Sequence, residues 1–540
     1  LIYVETTNAG SAKTSSTNEL YNGGSLGLDL DGTGIEAGIW DFDKVRTTHQ
    51  ELTGRVSLGQ SLGNSDTHST HVAGTVGASG VNANAKGMAP NVDLLSYSFQ
   101  DGDLVEMTQE AANGLLLSNH SYGLNAGSIP QSALGAYIQQ AVDLDNLLYN
   151  APFYSVQFAA GNDRNSGINS GDGGFDLLTG KSLAKNAIVV ANITEVPNYT
   201  GPNSVGMSSS SNWGPTDDGR LKPDISTKGV SVFSSVATSD TGYGSLTGTS
   251  MAAPGITGSL VLLQQLNNQM NNSFLRTATL RALMANSALE AGSAPGPDYR
   301  YGWGLMNTEG MAKTIMDSGF IENSLSNGTT YTKTIQAIDA NEPLKVTIAW
   351  QDLPGPAQGF NDEDNLTSRL INDLDLRVTD SNGNVSQPWT LNNFVPSLPA
   401  TTGDNSTDNI EQVVIDNAVG NYTIEVTHKG TLQSAPQNYS IAVTGIDETL
   451  SNDDFVASEQ DFEIYPNPAQ DQITIEFTET STKAASVNIY DLKGKVVKSY
   501  NPGQQESAKF NLNVSDLSTG IYLVKTKSSN GSAFEKLIIK

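Results

Sequence analysis

Short apolar runs alternate with segments of helical periodicity over roughly the first 310 residues of the chain. Leu134, Ile138, Ala141 and Val142 have helical spacing. The apolar runs are GIEAGIWD (34–41), VDLLSYSF (92–99), YSVQFAAG (154–161) and AIVVANI (187–193). Strands and helices in alternation predict an α/β fold, with a parallel sheet covered by helices on both faces.

The pattern of apolar and polar residues changes in the last two fifths of the chain. From residue 327 to about 445, strands and turns alternate without a long helical pattern, as in LKVTIAW and NYTIEVTH, which predicts a β-sandwich or jelly roll. Short strands such as DQITIEFTE and EKLIIK follow, and they predict a small all-β domain at the C-terminus. We therefore divide the chain into domains at 1–315, 318–446 and 461–540, with a linker at 447–460.

Charge and composition exclude several classes of partner. The net charge of −28 argues against binding to nucleic acid or an anionic membrane, and no apolar run is long enough to span a bilayer. Residues 461–540 carry nine acidic and nine lysine side chains, so the whole net charge lies upstream of them. Such acidity serves solubility, or it gathers into calcium sites built from oxygen ligands. Cysteine is absent, which excludes disulfides and thiolate metal sites.

Five polar residues are candidates for chemistry. His68 and His71 lie in DTHSTHVAGT. This segment contains either a general base or, as the less favoured alternative, two metal ligands. Asp41 ends an apolar run, where it either starts a turn or serves a site at the carboxyl edge of the sheet. Asn162 follows another such run and is either an oxyanion donor or a turn residue. Ser250 in GTSMAAP is a helix-capping serine or a nucleophile.

The order of these residues decides between the alternatives. Asp41, His68, Asn162 and Ser250 follow the Asp, His, Ser order of subtilisin. HSTHVAGT resembles the HGTHVAG box of subtilisin-like (S8) serine peptidases, and GTSMAAP resembles their GTSMAxP box. FAAGND is similar to their oxyanion segment, and YGWGLMN (301–307) to the segment that closes their catalytic domain.

This resemblance implies a role for each matching residue. Ser250 is then the nucleophile, His68 the general base and Asp41 the residue that orients His68, while Asn162 and the Ser250 backbone N–H form the oxyanion hole. His71 is then structural. The substrate-binding walls are implied to be Ser121, Tyr122 and Gly123 on one side, and Ala159, Ala160 and Gly161 on the other.

The aspartate box departs from the family pattern. The family usually has Asp-Ser/Thr-Gly, whereas this chain has Asp41-Phe42-Asp43, which makes Asp43 a competitor of Asp41. We prefer Asp41 because it directly follows the apolar run, and because THQEL (48–52) lies roughly where the family has its H-P-x-L segment.

The two later regions carry resemblances of their own. NDLDLRV (372–378) is similar to the β-sandwich that follows the catalytic domain of some large subtilases, and 361–364 (NDED) is either a calcium site or an exposed turn. YPNPAQDQITI, SVNIYDLKGKVV and LSTGIYLVKT resemble the C-terminal sorting domain of type IX secretion cargo. The implied location is outside a Gram-negative bacterium, with the type IX machinery as a partner.

We therefore expect a secreted, monomeric serine endopeptidase that acts on protein or peptide substrates. Catalysis is expected to need no cofactor, with structural Ca²⁺ as an addition. The alternative from a different class is a catalytically inactive subtilase scaffold that acts as a binding protein or adhesin.

Overall fold

The computed structural model describes the chain except for residues 1–6, 62, 338–341, 360–361, 447–449, 451–461, 478–483, 491–495, 501–508, 519 and 529–530. The expected linker at 447–460 therefore lies outside the described residues, apart from Leu450. The chain forms two compact units, Leu1–Leu450 and Ser451–Lys540. No helix in the described parts is long and apolar enough to cross a membrane.

A parallel sheet with surrounding helices occupies the first part of the Leu1–Leu450 unit. The described helices are α1 (Asn8–Thr14), α2 (Thr67–Gly77), α3 (Asp103–Asn113), α4 (Gln139–Asn150), α5 (Thr249–Asn271), α6 (Thr277–Ser287) and α7 (Thr308–Met316). The strands are β1 (Glu36–Asp41), β2 (Val56–Leu58), β3 (Asp93–Ser98), β4 (Leu117–His120), β5 (Ser155–Ala159), β6 (Ile188–Ile193), β7 (Ile225–Lys228), β8 (Val232–Ser235) and β9 (Tyr243–Leu246).

The seven strands β1 to β7 pair in parallel in the order β2-β3-β1-β4-β5-β6-β7. Alternate residues of one strand enter different cores: Ile188 and Val190 pack on one face of the sheet, and Val189 on the other. Burial on both faces explains why the strands read as continuous apolar runs. The predicted α/β fold is confirmed, and the four predicted runs contain β1, β3, β5 and β6.

The helical spacing of Leu134, Ile138, Ala141 and Val142 begins before the helix that the structure contains. Helix α4 begins at Gln139, with Ile138 as its N-cap, and Leu134 lies in the preceding turn. Gly135 explains the difference, because its φ of +68° is a left-handed conformation that interrupts a right-handed helix.

Antiparallel strands occupy the rest of the first unit. They are β10 (Phe320–Leu325), β11 (Tyr331–Ala337), β12 (Leu344–Trp350), β13 (Leu374–Asp380), β14 (Val385–Ser386), β15 (Trp389–Thr390), β16 (Thr401–Thr402), β17 (Ile410–Ile415), β18 (Gly420–His428) and β19 (Gln437–Thr444). Two four-stranded sheets, β10-β19-β12-β17 and β11-β18-β13-β14, share one apolar core, as the predicted sandwich requires.

The α/β part and the sandwich are packed together within this unit. Strand β12 alternates between them: Val346 and Ile348 enter the sandwich core, and Ala349 enters the core of the α/β part. Lys185, which precedes β6, is fully buried against Asp352, which follows β12. The two predicted folds therefore form one compact unit.

The Ser451–Lys540 unit is all β in its described residues, as predicted. Its strands are β20 (Phe462–Tyr465), β21 (Gln472–Phe477), β22 (Ala484–Tyr490), β23 (Val496–Tyr500), β24 (Lys509–Asn513), β25 (Gly520–Ser528) and β26 (Gly531–Ile539). They form antiparallel sheets in the orders β20-β21-β24 and β23-β22-β25-β26. Ile475, Ile489 and Val524 are fully buried in its core.

Candidate active site

The carboxyl ends of β1 and β4 bring Asp41 beside Ser121. Trp40 pairs with His120 in the sheet, so Asp41, the last residue of β1, and Ser121, the residue after β4, lie at the same level of the sheet. Neighbouring strands are about 4.8 Å apart. This edge of a parallel sheet is where functional side chains gather in α/β folds.

Helix α2 delivers His68 to Asp41. The helix starts after Asp66, whose side chain accepts a hydrogen bond from Ser69 N at 2.9 Å and caps it. His68 is the second helical residue, and its Nδ1 lies 2.8 Å from Asp41 Oδ1. The Asp41 side chain is 2% exposed, whereas that of His68 is 36% exposed. Asp43, the competing aspartate, accepts a hydrogen bond from its neighbour Lys44 N.

Charge around His68 favours its protonated form. Burial lowers the pKa of His68, but the hydrogen bond from its ring to Asp41 and the negative charges of Asp41 and Asp66 outweigh burial, so the pKa is raised. A general base must become an imidazolium when it takes a proton, and the surroundings of His68 stabilise this charged form of its ring.

His71 takes no part in this cluster. It is fully buried, its Nε2 lies 2.8 Å from Val232 O, and burial lowers its pKa to about 4. One ligand atom from each of Asp41, Asp66 and His68 lies within 4.8 Å of the other two. However, His68 Nδ1 is bound to Asp41 and Asp66 Oδ1 to Ser69. These internal hydrogen bonds favour a base with its orienting acid over a metal site.

Ser250 lies in the first turn of α5, and it is not the helix cap. Gly248 holds the N-cap position and Ser250 is the second helical residue. The Ser250 hydroxyl donates to Ser121 O at 3.2 Å, and the Ser121 hydroxyl donates to Ser250 O at 2.9 Å. The first N–H groups of a helix have no intrahelical acceptor, so the backbone N–H of Ser250 is available to a bound anion.

Asn162 is anchored to the same helix end. Its Oδ1 accepts a hydrogen bond from Thr249 N at 2.9 Å, and Gly161 N donates to Thr249 Oγ1 at 3.1 Å. Because the carbonyl end of the Asn162 amide is held, Nδ2 is the donor left for a ligand. Gly161 has a φ of +103°, and a Cβ there would lie 2.4 Å from Asn212 Nδ2.

A cavity of about 460 Å³ opens beside Ser250. All six residues that the resemblance implies for substrate binding line it, together with Asn162 and Ser250. Phe99 and Phe158 add aromatic surface, and the Lys181 ammonium pairs with the Asp103 carboxylate inside the cavity. Burial raises the pKa of Asp103, but the hydrogen bond and charge of Lys181 outweigh it, so the pKa is lowered. The cavity thus contains an ionised pair.

Sequence reasoning missed Asp66, Asp103 and Lys181. The capping position before α2 is a signal that could have drawn attention to Asp66, since Asp is a frequent N-cap. Asp103 and Lys181 are 78 residues apart, and no local pattern links them. Only the fold brings that pair together.

Comparison with known proteins identifies the class. Residues 26–304, just over half of the chain, match the subtilase family (Peptidase_S8), and the chain belongs to this family. Residues 463–540 match the secretion system C-terminal sorting domain. That domain marks type IX secretion cargo, so the protein is a secreted or cell-surface subtilase.

Individual relatives are similar to about half of the chain. An alkaline proteinase of Hapsidospora chrysogena is 28% identical over 265 residues, covering 46% of this chain and 56% of the relative. Alkaline elastase YaB of Bacillus sp. (strain YaB) is 28% identical over 289 residues, covering 52% and 64%. Subtilisin BL of Lederbergia lenta is 27% identical over 289 residues, covering 52% and 91%. The chain therefore spans about 56–64% of the first two relatives.

Among solved structures, the self-cleaved protease domain of PatA is similar with a TM-score of 0.39 and 21% sequence identity. The match covers 52% of this chain and 96% of that domain.

Proposed function

We propose that the protein is a secreted serine endopeptidase that hydrolyses peptide bonds through an acyl-enzyme intermediate. Ser250 Oγ attacks the carbonyl carbon, and its proton passes to His68 Nε2. Asp41 accepts a hydrogen bond from His68 Nδ1–H and stabilises the imidazolium. The acyl-enzyme forms when the same proton is delivered to the leaving amine, and a water activated by His68 then hydrolyses it.

The observation that carries this proposal is the 2.8 Å contact between His68 Nδ1 and Asp41 Oδ1, at the sheet edge where Ser250 of α5 contacts Ser121. With Nδ1–H directed at the carboxylate, the lone pair of Nε2 is free to accept a proton. The N–H of Ser250 and Nδ2 of Asn162 supply two donors for the oxyanion, and removal of one such donor typically costs a factor of about 10²–10³ in kcat.

The cavity supports binding of a substrate side chain next to the scissile bond. Its two walls are Ser121–Gly123 and Ala159–Gly161, and Ser250 lies at its edge. We assign it as the first specificity pocket, with protein or peptide chains as substrates.

The second candidate is an inactive subtilase scaffold that binds proteins or glycans. Such a scaffold has no need to keep a nucleophile, a base and an amide donor together. Ser250, His68 and Asn162 are all present in this chain, which favours the peptidase.

Casein cleavage by the purified protein tests the proposal, with Ser250→Ala as the matched control. The peptidase account predicts cleavage by the parent protein and none by Ser250→Ala, although both unfold at the same temperature. Parent protein that is folded and does not cleave would favour the scaffold.

A further inference from the structure

Three carboxylates from distant parts of the chain converge outside the candidate active site. Asp176 lies in the segment between Asn162 and β6, Asp217 follows that strand, and Asp364 follows β12 of the sandwich. Each offers an oxygen atom, and the three oxygens lie within 4.8 Å of one another. Ca²⁺ ligands lie at about 2.3–2.6 Å from the ion, so oxygens around one ion are separated by up to about 5 Å.

Two of these carboxylates have a buried oxygen without a partner. Asp217 is 6% exposed, and neither its Oδ1 nor Oδ1 of Asp176 accepts a hydrogen bond from any described residue. Their other oxygens are held: Asn169 Nδ2 donates to Asp176 Oδ2 at 3.1 Å, and Gln358 Nε2 donates to Asp217 Oδ2. A buried carboxylate oxygen is costly unless it is protonated, hydrogen-bonded or bound to a cation.

Both oxygens without partners face the same point. A Cβ on Gly135 would lie 2.0 Å from Asp176 Oδ1 and 2.2 Å from Asp217 Oδ1. The backbone of Gly135 is already satisfied, because its N–H donates to Leu178 O and its carbonyl accepts from Asp217 N. Gly135 therefore supplies space without supplying a donor to either carboxylate.

The charge around the three residues is unfavourable for bare carboxylates. Burial and the neighbouring charges of Asp217, Asp364 and Asp172 raise the pKa of Asp176, and burial raises the pKa of Asp217 to about 7. Arg369 lowers the pKa of Asp217, but burial outweighs it. The charge of Asp218 also raises the pKa of Asp217, although Asp218 is itself paired with Arg220.

We propose that Asp176, Asp217 and Asp364 bind a Ca²⁺ ion. Hard oxygen ligands with three negative charges match calcium, and their irregular placement suits its flexible coordination better than the strict octahedron of Mg²⁺. From the sequence, residues 361–364 by themselves are a candidate calcium site, and this proposal replaces that interpretation with a site built from three segments. Asp364 is the member of that stretch in the site, and its partners come from the α/β part of the unit.

The site connects two parts of the Leu1–Leu450 unit. Asp176 is three residues before Thr179, which lines the cavity and donates to Leu124 O at 3.0 Å. Asp364 belongs to the loop that leaves the sandwich strand β12. A bound ion therefore joins a segment that lines the cavity to the sandwich, and we expect it to stabilise both.

Calcium binding to the Ser250→Ala protein tests this proposal without self-digestion. The protein is stripped with chelator, and Ca²⁺ is added in a calorimetric titration and in thermal unfolding. The Ser250→Ala protein is compared with the same protein that also carries Asp176→Asn and Asp217→Asn. The expected result is that the double variant binds one Ca²⁺ fewer per chain and loses most of the calcium-dependent rise in Tm.

Two further variants keep the test decisive if the double variant does not fold. Asp364→Asn changes an exposed residue, and we expect it to weaken this binding event at least about tenfold. Glu363→Gln removes the same charge one residue away, outside the three carboxylates, and should leave binding unchanged. Equal calcium stoichiometry and affinity in the Ser250→Ala protein with and without Asp364→Asn would overturn the site. A Tm rise as large with Mg²⁺ would overturn the choice of Ca²⁺.

Discussion

His68 Nδ1 lies 2.8 Å from Asp41 Oδ1, and the carboxylate is almost fully buried while the imidazole is partly exposed. The contact joins the end of β1 to the start of α2. Oδ1 of Asp41 also accepts from Phe42 N at 2.7 Å, so the carboxylate is held in place from its own chain. The imidazole is thereby oriented before any substrate arrives.

The first prediction concerns Asp41→Asn. The amide can still contact His68, but it no longer stabilises the imidazolium and it favours the wrong tautomer. We expect kcat on a peptide substrate to fall by about four orders of magnitude, as in other triads of this kind, with KM almost unchanged. Asp43→Asn is the matched control. A severe loss in Asp43→Asn together with a harmless Asp41→Asn would contradict the assignment.

The second prediction concerns the pH dependence of activity in Asp66→Asn. Burial lowers the pKa of His68, whereas Asp41 and Asp66 raise it. Asn keeps the cap of α2 and removes one negative charge, so the pKa of His68 falls. Because the neutral ring is the active base, the acid limb of kcat/KM should move to lower pH. Asp143→Asn on α4 removes the same charge elsewhere and should leave the profile in place; an unmoved limb in Asp66→Asn would contradict the electrostatic account.

The third prediction concerns substrate selection by the cavity. Lys181→Met leaves the Asp103 carboxylate unpaired in the pocket, where a cationic substrate side chain can replace the lost ammonium. We expect the kcat/KM ratio of Arg over Leu substrates at the first specificity position to rise at least about tenfold. Lys86→Met is the control, since Lys86 lies over the ring of Tyr21. An unchanged ratio would mean that the side chain of the substrate does not reach Asp103.

The fourth prediction concerns stability. Lys185 is fully buried, pairs with Asp352 and donates to Arg369 O at 2.7 Å. Lys185→Met leaves a buried carboxylate without its cation, so the free energy of unfolding of the Leu1–Leu450 unit should fall by about 3–5 kcal/mol. Denaturant unfolding in the Ser250→Ala background measures it. The double variant Lys185→Met/Asp352→Asn should lose less; an equal or larger loss would argue against an uncompensated charge as the cause.

Local sequence patterns predicted much of the fold for a physical reason. A strand buried on both faces is mostly apolar, so β1, β5 and β6 stand out as near-continuous apolar runs, although Gln157 and Asn192 are buried polar residues within them. Leu134 has helical spacing but lies outside α4, because apolar spacing alone does not register the left-handed turn at Gly135.

Contacts between distant segments could not be predicted in this way. Asp103 and Lys181 meet only because α3 and the segment before β6 flank the same cavity. Asp364 reaches Asp176 only through the packing of the sandwich on the α/β part. Asp41, His68, Asn162 and Ser250 could be named as candidates from the sequence because their motifs are short and ordered along the chain.

Reaction of the protein with a fluorophosphonate, followed by mass spectrometry of the adduct, tests directly whether Ser250 is an activated nucleophile. A serine activated by His68 should be labelled stoichiometrically on the peptide that contains Ser250, and labelling should disappear in Ser250→Ala and be strongly slowed in His68→Ala. Folded parent protein that remains unlabelled, or that is labelled equally fast in His68→Ala, would contradict the account.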